Sequence, residues 1–248
     1  MNKQNSRNMR LSESNRKRVY RIGGIAALLT VAVAFSEAAI SFLPGGRAPV
    51  ETVVDWFTQL QTNWFMGLRN LGLLNILMVA LGIPMYFALY TVHKKVDKEF
   101  AALAMIISFI AGAIFFATNR AFPMLELSGY YAQATTDIQK VIIEAAGQSM
   151  VSVGRSHCSG TFLGFFFGEL AGILMSVVML RSKIFVKVNA LAGILGFALL
   201  SIYEVCTSFI PALSGVAMIF AVGGLLLTVT WMLLLSLRFF QLIREETE

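Results

Sequence analysis

The chain has 248 residues, 57% hydrophobic and 14% charged, with a mean hydropathy of +0.72. A soluble domain carries about 25% charged residues, so the composition excludes an ordinary water-soluble globule and places the chain among membrane proteins. The net charge of +6 reads as a topology signal and an attraction to anionic headgroups, not as a nucleic-acid partner.

Residues 1–20 are polar and basic and read as a solvated tail before the first span. Six apolar stretches follow, roughly 22–43, 71–91, 100–119, 160–180, 188–210 and 215–237. Each is long enough as a helix to cross about 30 Å of hydrocarbon. Backbone in lipid must satisfy its own hydrogen bonds, which predicts helices and not strands. The first run continues through Ile40, Phe42 and Leu43, so a retained span is expected rather than a cleaved signal peptide. The expected fold is all-α: a six-helix transmembrane bundle over 21–240, with a short second tail at 241–248.

Fifteen Lys and Arg residues fall in the N-terminal tail, the connections 92–99 and 181–187, and the C-terminal end. Five (Arg47, Arg69, Arg120, Lys140 and Arg155) fall on the other side. The positive-inside bias predicts that both termini are cytoplasmic.

Two connections on the outer side are long. The first, 44–70, opens with the breakers Pro44, Gly45, Gly46 and Pro49. Val53, Phe57, Leu60, Trp64 and Leu68 then recur at helical spacing. They predict an amphipathic helix at the outer interface, anchored by Trp56 and Trp64. The second, 120–159, contains Thr136 and Gln139 in the order TDIQ. This capping-box pattern predicts a second amphipathic helix running to about Met150. Both are expected to cap the bundle, with a lid over an outward-facing cavity as the alternative. Pro84 predicts a kink in the second span, and 211–214 a tight link between the last two. Cys158 and Cys206 are expected to stay unpaired.

The fourth span opens GTFLGFFFGELAGILMS over 160–176. Gly160, Gly164, Gly168, Gly172 and Ser176 put a small residue at every fourth position, a stripe along which another backbone can approach. The fifth span offers Ala190, Ala192, Gly193 and Gly196, so a tight four–five pair is expected, with homo-oligomerisation through the stripe as its competitor.

Three carboxylates lie inside spans: Glu37, Glu169 and Glu204. At about 1.5 Å per residue, each sits roughly 9–13 Å from the outer end of its helix. Such groups cost a few kcal/mol in lipid and should face inward and find partners. Together, they could not all be ionised without a cation. Arg69, Arg120, Tyr203 and Asn75 are the candidate partners. Their shared depth does not fit an inverted three-plus-three repeat, which weakens a transporter reading. The choice of metal stays open, although carboxylates alone favour a hard cation such as Ca²⁺, Mg²⁺ or Mn²⁺. His93 and His157 fall on opposite sides, so they cannot share a zinc site. Ser156 beside His157 lacks the geometry of a nucleophile, and no Gly-x-Ser-x-Gly, P-loop or CxxC occurs. The sequence favours a non-enzyme without a cofactor.

Two stretches carry a resemblance: LELSGYYAQATTDIQKVIIEAAG at 125–147 and MLRSKIFVKVNALAGILG at 179–196. They resemble bacterial and archaeal multi-span membrane proteins classed as domains of unknown function. Those proteins share an outer LS..YA.ATTD.Q segment and an inner RS..F turn between the fourth and fifth spans. The resemblance implies a six-helix bundle in a prokaryotic cytoplasmic membrane and carries over no catalytic or binding residues.

The expected role is binding or transport of a cation, proton or small polar solute through a carboxylate site in the outer half of the membrane. The alternatives are a non-catalytic structural or partner-binding subunit and, further off, an intramembrane enzyme. Expected partners are the lipid bilayer and either a second copy or another membrane protein.

Overall fold

A computed structural model describes residues 3–43, 52–154 and 157–245. Their regular structure is helical: α1 (Lys3–Ile40), α2 (Val53–Thr62), α3 (Trp64–Asn70), α4 (Leu73–His93), α5 (Lys98–Thr118), α6 (Ala121–Gln133), α7 (Asp137–Gly154), α8 (Phe162–Ser182), α9 (Lys187–Phe209) and α10 (Ser214–Glu245). Among the described residues, six helical segments are long and apolar enough to cross a membrane. They are built on α1, α4, α5, α8, α9 and α10, so the protein is a multi-pass membrane protein.

Each span packs on the next in chain order, and α10 returns to α1, closing the six into a ring. The short connections 94–97 and 183–186 impose antiparallel neighbours. At the end that carries the termini, the Tyr20 ring stacks on Phe239 at 6.0 Å and the Ser236 hydroxyl donates to the Gly24 carbonyl at 2.9 Å. There too Arg181 reaches Asp97 at 3.6 Å, joining the two short connections. The outward faces are apolar, with Ile219 70% and Leu226 64% exposed, while Asn189 and Ser236 are fully buried. That inversion is what hydrocarbon selects.

The opposite end is closed by α2, α3, α6 and α7, which pack on one another around a second core of Val53, Phe57, Leu60, Leu68, Leu71 and Met124. Here the structure differs from the sequence reading. The 52–70 segment is two helices, because Asn63 ends α2 and starts α3. Its backbone N–H donates to the Gln59 carbonyl at 2.9 Å, and its side chain accepts from the Met66 N–H at 3.1 Å. The apolar positions on α2 are buried against the other cap helices, whereas Trp64 is 61% exposed. Helix α6 was not anticipated at all. The TDIQ capping box forms, with Gln139 N–H on the Thr136 hydroxyl and Thr136 N–H on the Gln139 side chain. Its helix, α7, runs to Gly154 rather than to Met150.

The supposed tail is also helical, since α1 begins at Lys3. No glycine or proline precedes Gly23, and long polar side chains sustain a helix beyond the membrane. Helix α4 runs through Pro84 without interruption, and both cysteines are free thiols. The breakers at 44–49, Arg47, Arg155 and Ser156 lie outside the described residues.

Candidate ligand site between the six spans

The glycine stripe of α8 shapes the inside of the ring. A spacing of four overshoots a turn of 3.6 by about 40° per step, so the stripe rotates about 120° between Gly164 and Ser176. It therefore serves two neighbours instead of the single four–five contact expected. Gly164 leaves a built Cβ 3.5 Å from the Phe115 backbone, and Gly168 one 4.0 Å from the Ala111 Cβ, both on α5. Half a helix further, a Cβ at Gly172 would overlap the Phe197 ring of α9, and one at Gly193 would overlap Ser176 and Trp231. Gly196 instead faces α10, leaving a built Cβ 3.0 Å from Leu227 and Thr228. Gly160 lies outside this stripe's contacts and packs under the end of α7, beside the Ser152 and Val153 carbonyls.

These close approaches leave a cavity of about 300 Å³ in the middle of the ring. Every span contributes to its wall, through Thr30, Tyr86, Ser108, Glu169, Phe197 and Met232 among others. Most of the wall is apolar, and among the described residues Glu169 is the one charged side chain in it. Glu169 follows Gly168 on α8 and is 7% exposed. Its carboxyl lies close to Ser201 of α9, whose hydroxyl donates to the Phe197 carbonyl at 3.0 Å, and within electrostatic reach of Glu204. Its Oε2 is buried with no hydrogen-bond partner. A buried carboxyl oxygen left bare is expensive, which makes this atom the most demanding in the cavity.

The DUF4386 family, described as a domain of unknown function, matches residues 22–237. The chain belongs to this family. No curated protein and no solved structure matches it.

The family bundle separates the three intramembrane carboxylates. Glu204, 1% exposed, lies beside Glu169, whereas Glu37 sits across the ring on α1. Glu37 pairs with Arg69 of α3 at 2.8 Å, and Arg69 also donates to the Glu37 carbonyl at 2.6 Å and to the Ser41 hydroxyl. A cation at the last turn of α1 meets the negative end of its dipole, at a carbonyl that also accepts from the Ser41 N–H at 3.2 Å. Arg120 lies in the cap, where its Nη1 donates to the Val151 carbonyl at 3.3 Å and its guanidinium sits 5.3 Å from the Trp56 ring. Asn75 lines the cavity, away from the Glu37–Arg69 pair.

The sequence reading weighed His157 for zinc and nucleophile roles and missed its pairing with Glu204. Its Nδ1 meets Glu204 Oε1, and its ring stacks on Phe165 at 4.6 Å and meets the Tyr203 ring edge at 4.9 Å. Tyr203 is thus brought to the site through the histidine. His157 has φ 56°, a left-handed turn that swings its ring back over the bundle. His157 precedes α8 by five residues, and Glu204 stands five residues before the end of α9. Helix register alone puts His157 outside the end of α8 and Glu204 inside the end of α9, so the left-handed turn at His157 is what brings the two together.

Proposed function

We propose that the bundle binds a positively charged solute in its central cavity, with Glu169 as the counter-charge, in the service of transport or sensing. One observation carries this reading: an unpartnered carboxyl oxygen faces a cavity to which all six spans contribute. Such a group is stabilised by a cation or a proton far more than by an empty apolar wall. The excess of basic residues at the termini supports a cytoplasmic placement of both ends and an inner-membrane location. The exposed Ile138, Val141 and Ile142 of α7 support a cap that lies in the outer headgroup region.

A structural reading has its own support, because the Glu37–Arg69 and Glu204–His157 pairs each tie a span to a neighbouring segment. The two are separated by thermal unfolding of the purified protein across pH and a panel of inorganic and organic cations. A ligand of the native state alone raises the melting temperature, by an amount equivalent to about 2.7 kcal/mol at a hundredfold excess over Kd. A cation-dependent rise in the wild type that disappears in Glu169→Gln is expected. A flat response in the wild type, with the variant merely less stable, would assign the carboxylates to packing.

A further inference from the structure

We infer that the occupant of the cavity is an organic ammonium ion with an apolar body, held by Glu169 and by aromatic faces. The inference rests on Glu169 being the counter-charge and goes further by naming the substrate class. Four aromatic side chains line the same cavity: Tyr86 from α4, Phe115 from α5, Phe165 from α8 and Phe197 from α9. Ring faces attract cations, most effectively where water is excluded, and cages of them recognise quaternary ammonium groups. The volume of about 300 Å³ is at the small end for ligand pockets. It is far larger than a bare metal ion requires.

The ligand chemistry points the same way. Calcium takes six to eight oxygen ligands and magnesium an octahedral set. Among the described residues, no group of three or more His, Cys, Asp or Glu side chains is placed to hold a metal. Glu204 is beside Glu169 and its Oε2 is bare, but His157 occupies its Oε1 and it does not line the cavity. A small polar solute fares worse still, since it would lose its hydration to a wall that is mostly carbon. An ammonium with an apolar body needs one carboxyl, aromatic faces and apolar surface. The cavity supplies these three.

The test uses the full chain in lipid nanodiscs, which avoids detergent in the cavity. Benzyltrimethylammonium is the probe, neopentylbenzene its neutral analogue of the same shape, and Na⁺, K⁺ and Ca²⁺ the inorganic comparison. Benzyltrimethylammonium should raise the melting temperature of the wild type, and neopentylbenzene should not. In Glu169→Gln the apparent affinity for the ammonium should fall tenfold or more. Should that variant not fold, Gly82→Leu provides the second line. Gly82 lines the cavity and nothing lies within 4 Å of a Cβ built there. Leucine is also the better helix former, so this variant should fold, fill the cavity and lose the shift. A rise with Na⁺ or Ca²⁺ alone, dependent on Glu169, would keep the cation-binding reading and overturn the organic-ammonium assignment. No shift with any cation would overturn both, and so would equal shifts with the ammonium and its neutral analogue.

Discussion

The cap and the bundle solve the same packing problem with opposite chemistry. In the cap, large apolar side chains turn inward: Phe57 is 1% exposed and Leu60 2%. In the bundle the lipid-side aliphatics of α10, Ile219 and Leu226 among them, turn outward, while serine, asparagine and glutamate turn in beside Trp231, Leu235 and Phe239. Where water surrounds a segment, burial of apolar surface is the driving force, and the core of the cap follows that pattern. Hydrocarbon around the bundle removes that force, leaving close contact and internal polar partners to hold the spans together. The difference teaches where polar groups are available for function. In the cap polar side chains pair with one another, as Gln61 with Ser128 and Tyr131 with Glu144, whereas in the bundle Glu169 keeps a bare carboxyl oxygen at the cavity.

The sharpest way to break this comparison is a pair of truncations. Phe57 packs against Tyr131, ring centroids 5.1 Å apart, and its ring would be only 2.8 Å from a Cβ at Gly147. Phe57→Ala empties the centre of the cap and should cost about 3–5 kcal/mol. Leu226→Ala removes a side chain that is 64% exposed on the lipid face of α10, and should fall within about 0.5 kcal/mol of wild type. Unfolding in mixed micelles with increasing SDS reads both. Equal losses would mean that the two regions share one kind of core.

The next test concerns a pair that joins them. Arg69 belongs to the cap helix α3 and Glu37 to the span α1, with side chains 4% and 35% exposed. Breaking a fully buried pair costs about 3–5 kcal/mol. Glu37 keeps access to water, so Arg69→Met should cost about 2 kcal/mol, less than that range. The double variant Arg69→Met with Glu37→Met should recover most of the loss, because no bare charge is left behind. Failure to recover would show that the contacts of Arg69 with the Glu37 carbonyl and Ser41 hold the cap, and not the ion pair.

Hydrophobic runs made the six spans legible because the lipid imposes a length that composition reveals, although α1 and α10 run on as helix to Lys3 and Glu245, beyond the apolar stretches. The stretches 71–91 and 188–210 correspond to Leu73–His93 and Lys187–Phe209. The cap was harder to read. Helix α6 has Pro123 in its first turn and an N-cap, Arg120, with no side-chain capping bond. It therefore displays neither a start signal nor a clean apolar stripe. The break at Asn63 was hidden because the apolar spacing runs on through Trp64. At the site, Glu169 and Glu204 were visible as charges in lipid. The His157–Glu204 contact spans 47 positions of sequence and depends on one left-handed residue, which no periodicity encodes.

The smallest expected effect falls on that hidden break. Asn63 has an extended φ of −149°, ends one helix and caps the next. Two of the spans manage their starts differently: Gly72 before α4 and Val186 before α9 make no side-chain capping bond, whereas Asp97 caps α5. Polar caps matter most where helix ends meet water, and less where flanking turns and neighbouring helices hold the ends. Asn63→Ala should thus lower stability by about 1 kcal/mol, measurable in the same SDS titration. The helical content read by circular dichroism should stay unchanged. A gain in helicity would mean that alanine fuses α2 and α3 into the single helix their apolar spacing suggests. Leu68 would then swing away from Leu60, and the cap would lose part of its core. A small loss at constant helicity places the break in the packing of Val53, Phe57 and Leu68, with Asn63 only easing it.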